Sequence, residues 1–260
     1  MKNNMILAAG VLSAAVMSAS VFAEEIDPAD LTKVYTQTAL MIGGNSDIKP
    51  VTMISGAYSN GHQFAFLGEA TFGDVGDNQD NDFGFKYKDA RAQYFHTLDS
   101  GFSVLPKAGF SFDYINQRDH ALKVDTNLFA IGTLAAVNPK YTPGFMAFPM
   151  VAYVNGEMDI KPLNHKESVD GFSVAFAATK PLGDSGAFLL LWPEYQNISG
   201  DHIKTETVNF KVAVNAPMTQ NRKLWVNTRF DLSKAKTTIL GNKENGELDS
   251  EAYLGLRYFF

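Results

Sequence analysis

Ala252-Tyr253-Leu254-Gly255-Leu256-Arg257-Tyr258-Phe259-Phe260 closes the chain on an alternating pattern. Ala252, Leu254, Leu256, Tyr258 and Phe260 are apolar at every second position, and Arg257 falls on the other face. Period two is the side-chain period of a β-strand, so one face of this strand is wholly apolar. Chain termini usually fray into water. A strand that stays apolar to its last residue fits a sheet that closes on itself, with 252–260 pairing against the strand near Leu31–Ile42.

The same alternation recurs along the chain. Val208, Phe210, Val212 and Val214 alternate with Asn209, Lys211, Ala213 and Asn215. Leu224, Val226, Thr228, Phe230 and Leu232 alternate with Trp225, Asn227, Arg229, Asp231 and Ser233. Each run has one apolar and one mostly polar face. From Leu31 onward the pattern predicts about twelve strands, near 31–42, 51–58, 63–72, 83–97, 102–114, 122–137, 145–154, 168–180, 187–196, 204–215, 223–234 and 250–260; ten or fourteen also satisfy an even count. Asn60-Gly61 and Asp99-Ser100-Gly101 are tight hairpin signals. They alternate with longer polar connections at 43–50, 73–82, 155–167 and 234–249. This predicts an all-β, transmembrane, antiparallel up-and-down β-barrel with both termini on the short-turn, periplasmic side.

Lys2, the uncharged apolar stretch from Met5 to about Ser18, and Val21-Phe22-Ala23 read as a cleavable secretory signal peptide over 1–23. Residues 24–260 then form a single barrel domain. After Ala23 no apolar run reaches the ~18 residues of a membrane helix, which does not argue against a barrel. Cysteine is absent, which excludes disulfides and thiolate metal sites. A net charge of −6 with no basic block argues against a nucleic-acid partner.

Charges placed mid-strand cost ~2–4 kcal/mol each against lipid, so they belong in the lumen. The alternation points Lys107, Lys123, Lys211, Arg229 and Arg257 inward, together with Asp113, Asp125 and Asp231, and with Arg91 as a weaker candidate. Lys107, Asp113, Lys123, Lys211, Arg229, Asp231 and Arg257 are the expected pore-lining set. Inward cations among fewer anions line a path for anionic or polar solutes. Inward Phe129, Met146, Phe148, Trp225 and Phe259 would partly fill the lumen. The alternative is a closed barrel packed with Lys/Arg–Asp pairs, serving a structural or surface-interaction role.

Other chemistry is thin. Ser59-Asn60-Gly61-His62 brings Ser and His together in a way that resembles outer-membrane phospholipases, which makes an outer-membrane lipid hydrolase a further alternative, but the order is reversed and the segment reads as a hairpin turn. His96, His120, His165 and His202 show no ligand spacing. The Asp/Asn-rich stretch 73–82 fails the EF-hand template and reads as negative surface. No catalytic residue, metal or cofactor is expected.

The terminal strand with its final Phe260 resembles that of Gram-negative outer-membrane β-barrel proteins. That resemblance implies a cell outer membrane location, with outer-membrane lipids, lipopolysaccharide and the barrel assembly machinery as partners. In strand number, short turns, signal and terminal Phe, the layout resembles the small monomeric twelve-stranded porins of the oligogalacturonate-specific type. The resemblance implies a porin-like passive channel for a small-molecule solute. Fewer inward arginines and more inward bulky apolar residues depart from that family and put acidic-sugar specificity in doubt.

Overall fold

Gln37 lies opposite Phe259 and Ile42 opposite Leu254, so the last strand closes the sheet on the first. The computed structural model describes residues 26–30, 33–74, 85–120 and 123–260. The expected signal segment and most of the Asp/Asn-rich stretch fall outside them. The strands are β1 (Gln37–Gly43), β2 (Ile48–Ala57), β3 (Gln63–Asp74), β4 (Phe85–Asp99), β5 (Lys107–Asp119), β6 (Val124–Ala136), β7 (Met146–Ile160), β8 (His165–Pro181), β9 (Phe188–Ser199), β10 (Ile203–Pro217), β11 (Leu224–Ile239), β12 (Asn242–Asn245) and β13 (Asp249–Phe259). Each pairs antiparallel with its chain neighbour, except that β13 joins β1 and β11. The four-residue β12 pairs only with β11, on the edge that β13 occupies lower down. The closed barrel therefore has twelve strands, and ten and fourteen are set aside.

The outer face explains why alternation was readable. On β8, Phe172, Val174 and Phe176 are exposed to the outside, with Lys166, Ser168 and Asp170 beyond one end and Lys180 beyond the other. Asp170 to Lys180 is about 34 Å of strand, or about 26 Å along the axis at a ~40° tilt, which matches the apolar band of a membrane barrel. Leu40, Phe66, Phe112, Ile131, Val214 and Leu256 continue the belt on other strands. Curvature is served by inward glycines. A Cβ on Gly156 would meet Asn127 O at 2.0 Å, and one on Gly171 would meet Asn197 O at 1.9 Å, so only glycine permits these close strand approaches.

Several expectations are corrected. The stretch 102–106 is an exposed connection, with β5 starting only at Lys107; Gly101 (φ 76°) turns the chain and Pro106 supplies no ladder N–H. The connections near 155–167 and 234–249 are mostly strand. β7 runs to Ile160, a tight turn with Asn164 at φ 45° follows, and β11 reaches Ile239 before the β12 hairpin. On the β11 extension polar residues cover both faces, because both lie beyond the apolar belt; on the β7 extension the outward face is polar (Glu157, Asp159), while Met158 and Ile160 turn into the lumen.

β6 is in the opposite phase to the one expected. Val124, Leu128 and Ala130 face inward and are buried, while Phe129 is 62% exposed on the outside, its ring 4.9 Å from that of Tyr114. The run Leu128-Phe129-Ala130-Ile131 is apolar on both faces, so polarity cannot set its phase. Asp125 accordingly pairs with Lys161 in the neighbouring turn, at 2.7 Å.

Candidate functional site

At mid-height the strands bring charged side chains to the barrel axis from many directions. β4 places Arg91 beside Asp113 of β5, with Arg91 Nε 2.9 Å from Asp113 Oδ2 and Gln93 Nε2 3.0 Å from the same oxygen. The far end of the same guanidinium reaches β9, where Nη1 lies 3.2 Å from Glu194 Oε2. Ser173 of β8 donates to the other carboxylate oxygen of Glu194 at 3.3 Å. β4 and β9 are five steps apart in a ring of twelve strands, so this ion pair spans the lumen.

A second cross-tie runs beside it. Glu69 of β3 is the register partner of Arg91. It receives Arg229 Nη1 of β11 at 3.0 Å and has Lys211 Nζ of β10 at 3.6 Å; β3 and β10 are also five steps apart. Arg229 Nε holds Asp231 at 2.7 Å, and Lys49 Nζ of β2 lies 3.5 Å from Asp231 and 4.2 Å over the Tyr253 ring. The side chains are tightly enclosed: Glu194 is 5% exposed and Arg91 16%. Together they form a charged septum across the barrel.

The two halves of the lumen differ. Toward the end away from the termini, Val154, Met158, Val169, Ile198 and Ile203 join inward residues of β6 in an apolar cluster filling the β6–β10 side. The opposite wall at that end is polar, with Lys88 Nζ 2.7 Å from buried Asp47 and Thr71 Oγ1 2.9 Å from Asp89. Toward the termini lies a cavity of about 280 Å³, lined by Gln37, Gln63, Asn227, Arg257, Trp192 and Phe148 among others, and roofed by Glu69, Arg91, Lys211 and Arg229. Gln37 Oε1 and Asn227 Oδ1 have no hydrogen-bond partner among the described residues. Pro28, Asp30, Lys33, Val34 and Tyr35, described residues ahead of β1, form the cavity floor. Ala29 is buried against Phe188, Trp225 and Phe259, and its carbonyl accepts from Thr179 Oγ1 at 2.5 Å.

Of the expected pore-lining residues, the septum brings together Asp113, Lys211, Arg229 and Asp231. Arg257 lines the cavity below it without a carboxylate partner among the described residues. Lys107 sits at the start of β5, near the terminal end, and donates to Gln63 Oε1 at 2.9 Å, away from the septum. Lys123 is corrected: it occupies an exposed turn at φ 54°, before β6 begins, so no strand face directs it inward. Buried Trp225, Phe148 and Phe259 point inward and fill part of the lumen beside the cavity.

Sequence reasoning missed Glu69, Glu194 and Lys49, the anions and the cation that complete the ties. A usable signal existed for Glu194, which shares a face with Trp192 and Gln196, opposite the apolar face of Leu189, Leu191 and Tyr195. Ser59 is exposed in the β2–β3 turn, with Gly61 at φ 84°, and His62 contacts His96 at 3.2 Å; the turn reading accounts for this segment.

No family model matches the chain, and no curated protein matches it. Among solved structures, the fold is similar to that of the NanC porin, with a TM-score of 0.50 and 8% sequence identity over 86% of this chain and 98% of that one. A KdgM porin in complex with disordered oligogalacturonate aligns over 87% of this chain and 99% of its own, with a TM-score of 0.47 and 9% identity. OmpT of Vibrio cholerae, expressed in the outer membrane, aligns over 87% and 96%, with a TM-score of 0.40 and 12% identity. At these identities the likeness is one of fold.

Proposed function

We propose that the protein is a passive channel of the bacterial outer membrane for small polar or anionic solutes, with the septum as its constriction. The observation that carries this reading is the septum lying directly over a cavity edged by Lys211, Arg229, Arg257 and unpaired amide oxygens. A guanidinium without a carboxylate partner, held in a cavity, favours a solute that brings its own negative charge. The exposed apolar belt supports insertion in a bilayer, and the barrel fold supports the outer membrane as the location.

On this reading residues 1–23 are a cleaved signal and the end carrying the termini faces the periplasm. The terminal strand engages the barrel assembly machinery, and the opposite rim meets lipopolysaccharide. Diffusion through the lumen needs no catalytic group and no cofactor.

Single-channel recording from refolded protein in planar bilayers tests it. Discrete conductance steps are expected, with anions favoured in a salt gradient. A second reading is a non-conducting structural or surface-interaction barrel. It is favoured by the hydrogen bond from Thr179 that holds Ala29 against the aromatic floor. A bilayer that stays silent at every protein concentration selects that reading.

A further inference from the structure

Three side chains far from the septum form a cluster that the channel reading does not use. His165 begins β8, Glu167 follows two residues later, and His202 lies in the turn between β9 and β10. The antiparallel pairing of β8 with β9, which matches Asp170 with Ser199, carries the β9–β10 turn to the start of β8. His165 Nε2 and His202 Nδ1 each lie 3.1 Å from the same oxygen, Glu167 Oε2, and the three ligand atoms fall within 4.8 Å of one another. The cluster lies beyond the apolar belt, at the rim away from the termini.

Two features of this cluster call for a cation. Glu167 is 8% exposed, and no Lys or Arg pairs with it among the described residues. Oε2 is also crowded. If both rings donate, it receives two imidazole N–H groups together with a share of the His202 backbone N–H, which lies 3.1 Å from it and 3.3 Å from Oε1, so three donors converge on an oxygen with two lone pairs. If either facing ring nitrogen is unprotonated, a nitrogen lone pair opposes an oxygen lone pair at 3.1 Å. A metal ion between the three atoms removes both conflicts.

The spacing suits such an ion. Bonds of 2.0–2.1 Å in a tetrahedron imply ligand–ligand edges of about 3.3–3.4 Å. Two of the three edges are 3.1 Å here, so a few tenths of an ångström of opening, with a turn of one ring, admits the metal. The carboxylate is already aimed: Glu167 Oε1 accepts the Ile203 N–H at 2.8 Å, the outer-shell support that fixes a ligand's orientation. Two imidazoles and one carboxylate suit zinc rather than calcium or magnesium, which take oxygen ligands. Both His side chains are more than a third exposed, which leaves a fourth position to water.

We propose that His165, Glu167 and His202 form a Zn²⁺ site at this rim, tying the β7–β8 turn to the β9–β10 turn. The test is calorimetric titration of ZnCl₂ into the metal-stripped, full mature barrel in detergent, beside His202→Ala, His165→Asn and, as a control histidine, His120→Ala. The expected result is one saturable site per barrel that His202→Ala and His165→Asn each weaken by at least ~10-fold. His120→Ala and excess CaCl₂ should leave it unchanged. Circular dichroism identifies folded variants, and His165, at the rim end of β8 with its side chain more than a third exposed, gives a substitution outside the buried core. The proposal is overturned if zinc shows no saturable binding, if a folded His165 or His202 variant binds as tightly as the parent, or if calcium displaces the zinc.

Discussion

Arg91 on β4 and Glu194 on β9 meet across the barrel at 3.2 Å, although their strands lie nearly opposite one another in the ring. The same guanidinium serves Asp113, so one cation holds two enclosed carboxylates. Removing it leaves those anions facing each other, and breaking such a pair from one side costs about 3–5 kcal/mol. Arg91→Ala should therefore lower the midpoint of urea unfolding far more than Glu194→Gln, which keeps a hydrogen-bonding group in place. Equilibrium unfolding in detergent or vesicles checks the order.

Lys211 and Arg229 both bear on Glu69 and line the cavity beneath the septum. Lys211→Glu and Arg229→Glu turn this part of the wall anionic, so reversal potentials in a KCl gradient should move toward cation selectivity. The shift should be larger for the pair of changes than for either alone.

The floor of the cavity gives a separate prediction. Thr179 is fully buried, and its hydroxyl holds the Ala29 carbonyl. Thr179→Val removes that bond at a cost of about 1 kcal/mol, and a mature chain starting at Val34 removes most of the floor. Conductance should rise slightly in the first and strongly in the second, with the β-sheet circular dichroism spectrum retained.

Neighbouring aromatics at the end of β13 should behave in opposite ways. Phe259 points inward and packs edge-on against both Tyr35 and Trp225, at ring distances of 5.9 and 5.8 Å. Phe260 points outward and is half-exposed beside Tyr258. Phe259→Ala should cost about 3–5 kcal/mol in refolded protein. Phe260→Ala should leave that stability nearly unchanged and reduce the amount of barrel assembled in cells, which quantitative immunoblotting of outer-membrane fractions measures.

What was readable in the residue order follows from polarity contrast. Runs such as 208–214, 224–232 and 252–260 set apolar residues against polar ones, and there the strands, their faces and the inward course of Lys211, Arg229 and Arg257 could be read directly. β6 carries apolar side chains on both faces, so its phase was lost, and Lys123 and Phe129 with it. Extensions such as Lys234–Ile239 pass beyond the belt, where neither face needs to be apolar. The partners across the lumen were out of reach for a different reason. Arg91 and Glu194 are 103 residues apart, and His202 is 35 from Glu167; closure and strand pairing, not spacing along the chain, bring them together.

Conductance through Arg91→Ala, compared with the parent barrel in the same planar bilayer, tests most directly whether the septum limits passage. Removing the cross-lumen guanidinium should give steps clearly larger than those of the parent. Steps of equal size in the two proteins, or a silent bilayer for both, would contradict the assignment of the constriction to the Arg91–Glu194 tie.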